Sequence, residues 1–155
     1  MTWPNRIARA LPLVLRVALG AVWIFAAWMK LRYPWQLFAA EIGDYKVLPE
    51  GAVVPLAHAL PWAELLLGAL LVFGVFLRAA SAASSLILAG FLTLMVRAMI
   101  LHMQISCGCF GPGDLISWRT LLRDGSLLAL SLAVAWLAFA RRRRKTPPQP
   151  AITGA

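Results

Sequence analysis

Cys107 and Cys109, the two cysteines of this chain, stand one glycine apart in the stretch ISCGCFGPGD. Thiols so placed have three chemistries open to them. As a staple they do little, because a disulfide across one residue closes almost no loop and hardly constrains the unfolded chain. As metal ligands, two thiolates need further donors; His102 and Met103 lie close by and would suit a soft ion such as copper. As a redox pair they suit a labile, oxidising disulfide, since vicinal geometry is awkward and strained or exposed disulfides are readily reduced. Gly108 eases the backbone between them, and Gly111, Pro112 and Gly113 favour tight turns beyond. The redox pair is the leading expectation. No metal is expected, with the soft-ion site kept as an alternative.

Charges embedded in apolar sequence sharpen that expectation. Arg97 lies near the end of the apolar run before the cysteines, and Arg123 and Asp124 open the run after them. Glu64 falls near the middle of its own run or, if Pro61 starts the straight part of that helix, in its first turn on the cysteine side. Ionisable groups are expensive in lipid, so they pair, line a cavity or serve function. Guanidinium groups beside a thiol favour the thiolate. Cys107, Cys109, Arg97, Arg123, Glu64 and Asp124 therefore form the candidate catalytic set. The competing reading is a pair of salt bridges that fix helix register, with Glu64 and Asp124 as the acids available to the two arginines. Arg16 is expected to snorkel to the nearer membrane edge, and His58 to be interfacial and without chemistry. There is no serine–histidine–acid arrangement and no phosphate-binding glycine loop.

The elements that position these residues follow from composition. Of 155 residues, 61% are hydrophobic and 14% charged, against about half and a quarter in soluble domains. A spanning helix needs about 20 apolar residues. Four stretches qualify: Ala10 to Met29, Val54 to Leu77, Ala79 to Met103 and Leu121 to Ala140. The expected fold is an all-α, integral membrane four-helix bundle over residues 1–140, with a basic, proline-rich tail over 141–155. The net charge of +9 draws heavily on the run Arg141 to Lys145, a cytoplasmic anchor rather than a nucleic-acid surface. Arg6, Arg9 and Arg78 fall on that same side, so both termini are expected in the cytoplasm. The cysteine loop is then extracytoplasmic, where disulfides persist. Between the first two spans Trp35, Phe38, Ile42 and Tyr45 recur at helical spacing. That segment is expected to lie flat on the membrane surface, or else to cover a cavity beneath the cysteine loop.

Several stretches together resemble the DoxX-like membrane proteins, and within them the branch of methylamine utilisation protein MauE. They are KLRYP after the first span, YKVLP and LPWAELLLGALLVFG around the second, CGCFG after the third and LLRD opening the fourth. The resemblance implies a four-helix bundle in a bacterial inner membrane and a link with extracytoplasmic thiol–disulfide chemistry. It also implies a periplasmic thioredoxin-like partner and, through the wider group, electron exchange with quinone. Arg97, Arg123, Tyr45 and His102 are the residues expected to face the quinone, with Glu64 or Asp124 managing protons. One cysteine pair excludes an internal two-pair relay. The expectation is a thiol-disulfide oxidoreductase exchanging electrons through Cys107 and Cys109. Two alternatives stand beside it: a non-catalytic assembly subunit for a periplasmic enzyme, and a membrane protein that binds a metal or small molecule.

Overall fold

The structure is a computed structural model that describes residues 3–103, 105–108 and 115–143, with side chains described between residues 10 and 140 of that set. Cys109, the turn residues 111–113 and the tail from 144 onward lie outside the described residues. Five α-helices follow in order: α1 (Trp3–Arg32), α2 (Trp35–Asp44), α3 (Glu50–Phe73), α4 (Leu77–Ile100) and α5 (Trp118–Arg143). Four of them carry apolar stretches of 23 or 24 residues. At about 1.5 Å per residue each stretch reaches about 35 Å, enough for a hydrocarbon core about 30 Å thick. Large apolar side chains on their outer faces, among them Phe25, Trp28, Trp62, Leu86 and Trp136, are more than half exposed. Such a surface requires lipid. The chain is a multi-pass membrane protein built up-down-up-down, with short α2 at the end where α1 finishes.

Helix ends differ from the expected bounds for local reasons. α3 stops at Gly74, whose φ of 73° is the left-handed conformation that terminates helices. Leu77 and Arg78 therefore belong to α4. α4 ends in a paired hydrogen-bond motif, His102 N–H to the Met99 carbonyl at 3.1 Å and Met103 N–H to the Ala98 carbonyl at 2.9 Å. α5 starts at a reciprocal cap, in which the Ser117 N–H donates to Thr120 Oγ1 at 2.8 Å and the Thr120 N–H to Ser117 Oγ at 3.4 Å. α3 runs unbroken through Pro55 and Pro61, so Glu64 sits in mid-helix rather than in a first turn. Membrane helices tolerate such prolines because neighbours re-satisfy the freed carbonyls.

α1 and α3 pack most extensively, followed by α4 and α5. The first pair meets at two glycines. A Cβ at Gly20 would lie 2.8 Å from the Gly68 carbonyl oxygen, and one at Gly68 would lie 2.8 Å from that of Gly20. Close backbone approach through small residues is a main source of cohesion between helices in lipid. Gly68→Ala should therefore destabilise the bundle by about 1–3 kcal/mol through overpacking, measured as a lowered thermal transition in detergent. An unchanged transition would mean the helices can separate without loss.

A polar chain ties three helices at mid-bundle. Trp23 Nε1 donates to Ser84 Oγ at 2.8 Å, Ser131 Oγ to Ser84 Oγ at 2.9 Å, and Ser85 and Ser131 hydroxyls meet at 2.9 Å. Toward the opposite end from the cysteines, Arg16 packs against the Gly74 turn. Its Nε is buried without a hydrogen-bond partner while its guanidinium end meets the turn that closes α3.

Candidate functional site

The loop between α4 and α5 closes on itself at its base. Ile116 N–H donates to the Ile105 carbonyl at 3.1 Å, and Ser106 and Leu115 form an antiparallel bridge. This closure turns Cys107 inward, to 1% exposure. Gly108 follows with a φ of 69°, a conformation natural to glycine alone.

Three helices hold the loop down. Tyr45, the residue that ends α2, is 7% exposed, and its hydroxyl faces the carbonyls of Ser106 at 3.4 Å and Cys107 at 3.3 Å. The Tyr45 carbonyl accepts from Arg97 Nη1 of α4 at 3.0 Å. From α5, Arg123 Nη2 lies 3.5 Å from Cys107 Sγ while its Nε donates to Asp124 Oδ1 at 3.1 Å. A guanidinium hydrogen bond to sulfur favours thiolate, and among the described residues Arg123 makes one, to Cys107, while Arg97 bonds the Tyr45 carbonyl. Arg97 and Arg123 thus take separate partners. Arg97 acts on the loop through Tyr45.

Glu64 sits deeper and has a partner that the sequence did not single out. Lys30, in the last turn of α1, donates to both carboxylate oxygens at 2.7 and 2.8 Å. The two residues are 6% and 1% exposed. Lys30 follows the first apolar run in sequence, but α1 continues past it and carries it inside. Lys30, Glu64 and Asp124, itself 2% exposed, line one internal cavity of about 30 Å³. The signal for Lys30 was helical register: it lies on the face of α1 that carries the buried Trp23, Ala26 and Ala27.

Directly beneath the cysteine loop lies a larger cavity, about 290 Å³, near the lower end of ordinary small-molecule sites. Its walls are apolar and come from α2, α3 and α4, including Phe38, Leu60 and Phe91, while Cys107 and Gly108 close it. α2 covers this cavity by burying Phe38 and Ala39 against Val53 and Ala57 of α3. His58 stacks on Trp35 of α2 at 4.6 Å between ring centres. Tyr45 and Glu41 reach the cavity, whereas Arg97, Arg123 and His102 do not line it. His102 is exposed and has a φ of 52°; its backbone supplies the left-handed residue that ends α4. Glu41, unremarked in the sequence, is half-buried. Burial pushes its carboxyl above the ordinary 4.5, against the opposing pull of Lys30 and a hydrogen bond with Ser106. Among the described residues no three histidine, cysteine or acidic side chains converge in a way that would hold a metal ion.

With this geometry in hand, likeness to known proteins can be placed on it. The family model of methylamine utilisation protein MauE matches residues 8–137. The methylamine utilization protein MauE of Paracoccus denitrificans is 35% identical over 124 residues, which cover 78% of this chain and 66% of that protein. The chain thus spans just under two thirds of that relative's length. No solved structure matches it.

Proposed function

The chain belongs to the MauE family, and on that premise we propose that it serves methylamine utilisation as a membrane thiol–disulfide redox protein. In this reading both termini are cytoplasmic and the cysteine end is extracytoplasmic. Cys107 and Cys109 form the dithiol, a thioredoxin-like protein is the partner, and a membrane quinone is the electron-accepting substrate. One observation carries the reading: a buried Cys107 sulfur, held by the Arg123 guanidinium at 3.5 Å, opens on an apolar cavity of about 290 Å³.

The electron count closes. A reduced partner gives two electrons and two protons to the Cys107–Cys109 disulfide through a mixed disulfide and leaves oxidised. The resulting dithiol gives two electrons and two protons to the quinone, which leaves as quinol as the disulfide re-forms. At 1% exposure Cys107 is out of reach of a folded partner, so partner exchange falls to Cys109 and cavity chemistry to Cys107. Phe38, Leu60 and Phe91 would hold the quinone ring and exclude water. Cys107→Ser should therefore accumulate a mixed disulfide with an oxidised thioredoxin-like protein, formed as the Cys109 thiolate attacks the partner's disulfide and one partner thiol leaves, visible on non-reducing gels. Cys109→Ser should not. Trapping by neither variant would count against the exchange.

A second reading is supported by the internal pairing of the charges. Lys30 holds both oxygens of Glu64, and Arg123 holds Asp124, an arrangement suited to fixing a bundle that docks a maturing periplasmic enzyme. Growth on methylamine distinguishes the two. A strain carrying Cys107→Ser with Cys109→Ser grows under the assembly reading and fails under the redox reading.

A further inference from the structure

The redox reading leaves one group at the cavity without a task. Among the described residues lining the cavity, Glu41 is the only carboxyl. It projects from α2 toward the loop so closely that a Cβ at Gly108 would stand 3.3 Å from its Oε2. Glycine at 108 lets the backbone beside the cysteine lie against this carboxylate. Ser106, which precedes Cys107 in the chain, favours the charged form of this carboxyl. A carboxyl, a thiol and an apolar chamber thus share one boundary.

We propose that Glu41 is the proton carrier of the dithiol. As a carboxylate it takes the thiol proton of Cys107 while the pair is oxidised; as an acid it passes that proton to an oxygen of the quinone in the cavity. The inference rests on the redox reading above. Two protons leave sulfur in each turnover and two arrive on quinone oxygens. Glu41 moves one, and the other leaves Cys109 for water while the second quinone oxygen takes its proton from water. Two electrons pass from the thiols to the quinone, which is reduced to quinol.

The surroundings of Glu41 suit a group that changes charge. Lys30 faces it from α1, and Asp44 lies along α2. The cavity walls supplied by α3 and α4, among them Leu56, Leu60, Ile87 and Leu94, carry no titratable group. The Tyr45 hydroxyl already faces the Ser106 and Cys107 carbonyls. Burial raises the Glu41 carboxyl above 4.5, toward the range in which an acid–base pair works at neutral pH.

The test uses the full chain in proteoliposomes, with dithiothreitol as electron donor and a short-chain ubiquinone as acceptor, and follows quinol formation from pH 5 to 9. A carboxylate acting as base gives a rate that rises with pH through the Glu41 titration. Glu41→Gln should lower the rate at pH 7 by about 10²-fold and remove that rising limb. Glu41→Asp should keep the limb with a displaced midpoint and recover part of the rate. That displacement decides the matter even if Glu41→Gln fails to fold. Full rate and an intact limb in Glu41→Gln, or an undisplaced limb in Glu41→Asp, overturns the role of Glu41 while Cys107→Ser remains inactive. A Cys107→Ser protein as active as the wild type overturns the redox reading itself, and the inference with it.

Discussion

Lys30→Met should destabilise the bundle by about 3–5 kcal/mol, the cost of leaving a buried charge without its partner. Glu64 would keep its place at 1% exposure and lose two hydrogen bonds, of 2.7 and 2.8 Å, at once. No water-facing escape is open to it, because α3 carries Glu64 in mid-helix against α1. Glu64→Leu should also destabilise the bundle, because it removes both carboxylate bonds that hold the Lys30 ammonium at this contact. Removing both charges together as Lys30→Met with Glu64→Leu should return most of the stability, since well-packed apolar pairs often replace buried ion pairs without loss. Thermal transitions of the four proteins in one detergent give the coupling between the two sites. Additive losses in the double variant would show that the pair is not a unit. Activity supplies a second axis. A stable but inactive double variant would assign the pair a task beyond holding α1 to α3.

Arg123→Gln should sharply reduce the thiolate of Cys107 at neutral pH. A cation within hydrogen-bond reach favours the charged form of an acid by about 1–3 pH units, which is about 10–10³-fold in thiolate population. Arg123 Nη2 is 3.5 Å from the sulfur, and its other edge is anchored by Asp124, so the guanidinium is held in place. The measurement is thiolate ultraviolet absorbance against pH in a Cys109→Ser background, where Cys107 is the only thiol. Arg97→Gln is the control, because Arg97 reaches the loop through the Tyr45 carbonyl rather than through sulfur. A titration that responds equally to both substitutions would mean that loop position, not the local charge, sets the thiol. Quinone-linked turnover should fall in step with thiolate for Arg123→Gln under the redox reading.

Much of this architecture was legible in the order of residues. Lipid demands about 20 consecutive apolar residues with every backbone group bonded within the segment, so run length alone yields four helices. The CGC spacing and the arginines on either side of it in sequence place the thiols and both guanidinium groups at one end of the bundle, and the spacing of Trp35, Phe38, Ile42 and Tyr45 announces α2. The less direct elements were misjudged for identifiable reasons. Leu77 was joined to the second span because Gly74 and Phe76 break the helix through backbone angles of 73° and 47°, and an apolar phenylalanine gives no sign of that. His102 also supplies, through a φ of 52°, the left-handed residue that ends α4, which its place near the cysteines does not announce.

Partnership was the part that hydropathy could not settle. Sequence distance brings Arg97 and Glu64 to mind as a pair because both are charges in apolar runs, but pairing depends on which helix faces which. α1 packs on α3 across Gly20 and Gly68, and that contact sets Lys30 beside Glu64. The folding of α2 onto α3 then converts a surface helix into the roof of a cavity and carries Glu41 to Gly108. Composition and periodicity determined the number of helices, their lengths and the loop that bears the thiols, because those depend on local transfer from water to lipid. Only the tertiary structure decided that Lys30 neutralises Glu64, that Arg123 rather than Arg97 touches the Cys107 sulfur, and that the cavity has a carboxylate at its rim. Those choices rest on helix rotation and close packing, where one small residue admits a neighbouring backbone and so selects which charges meet.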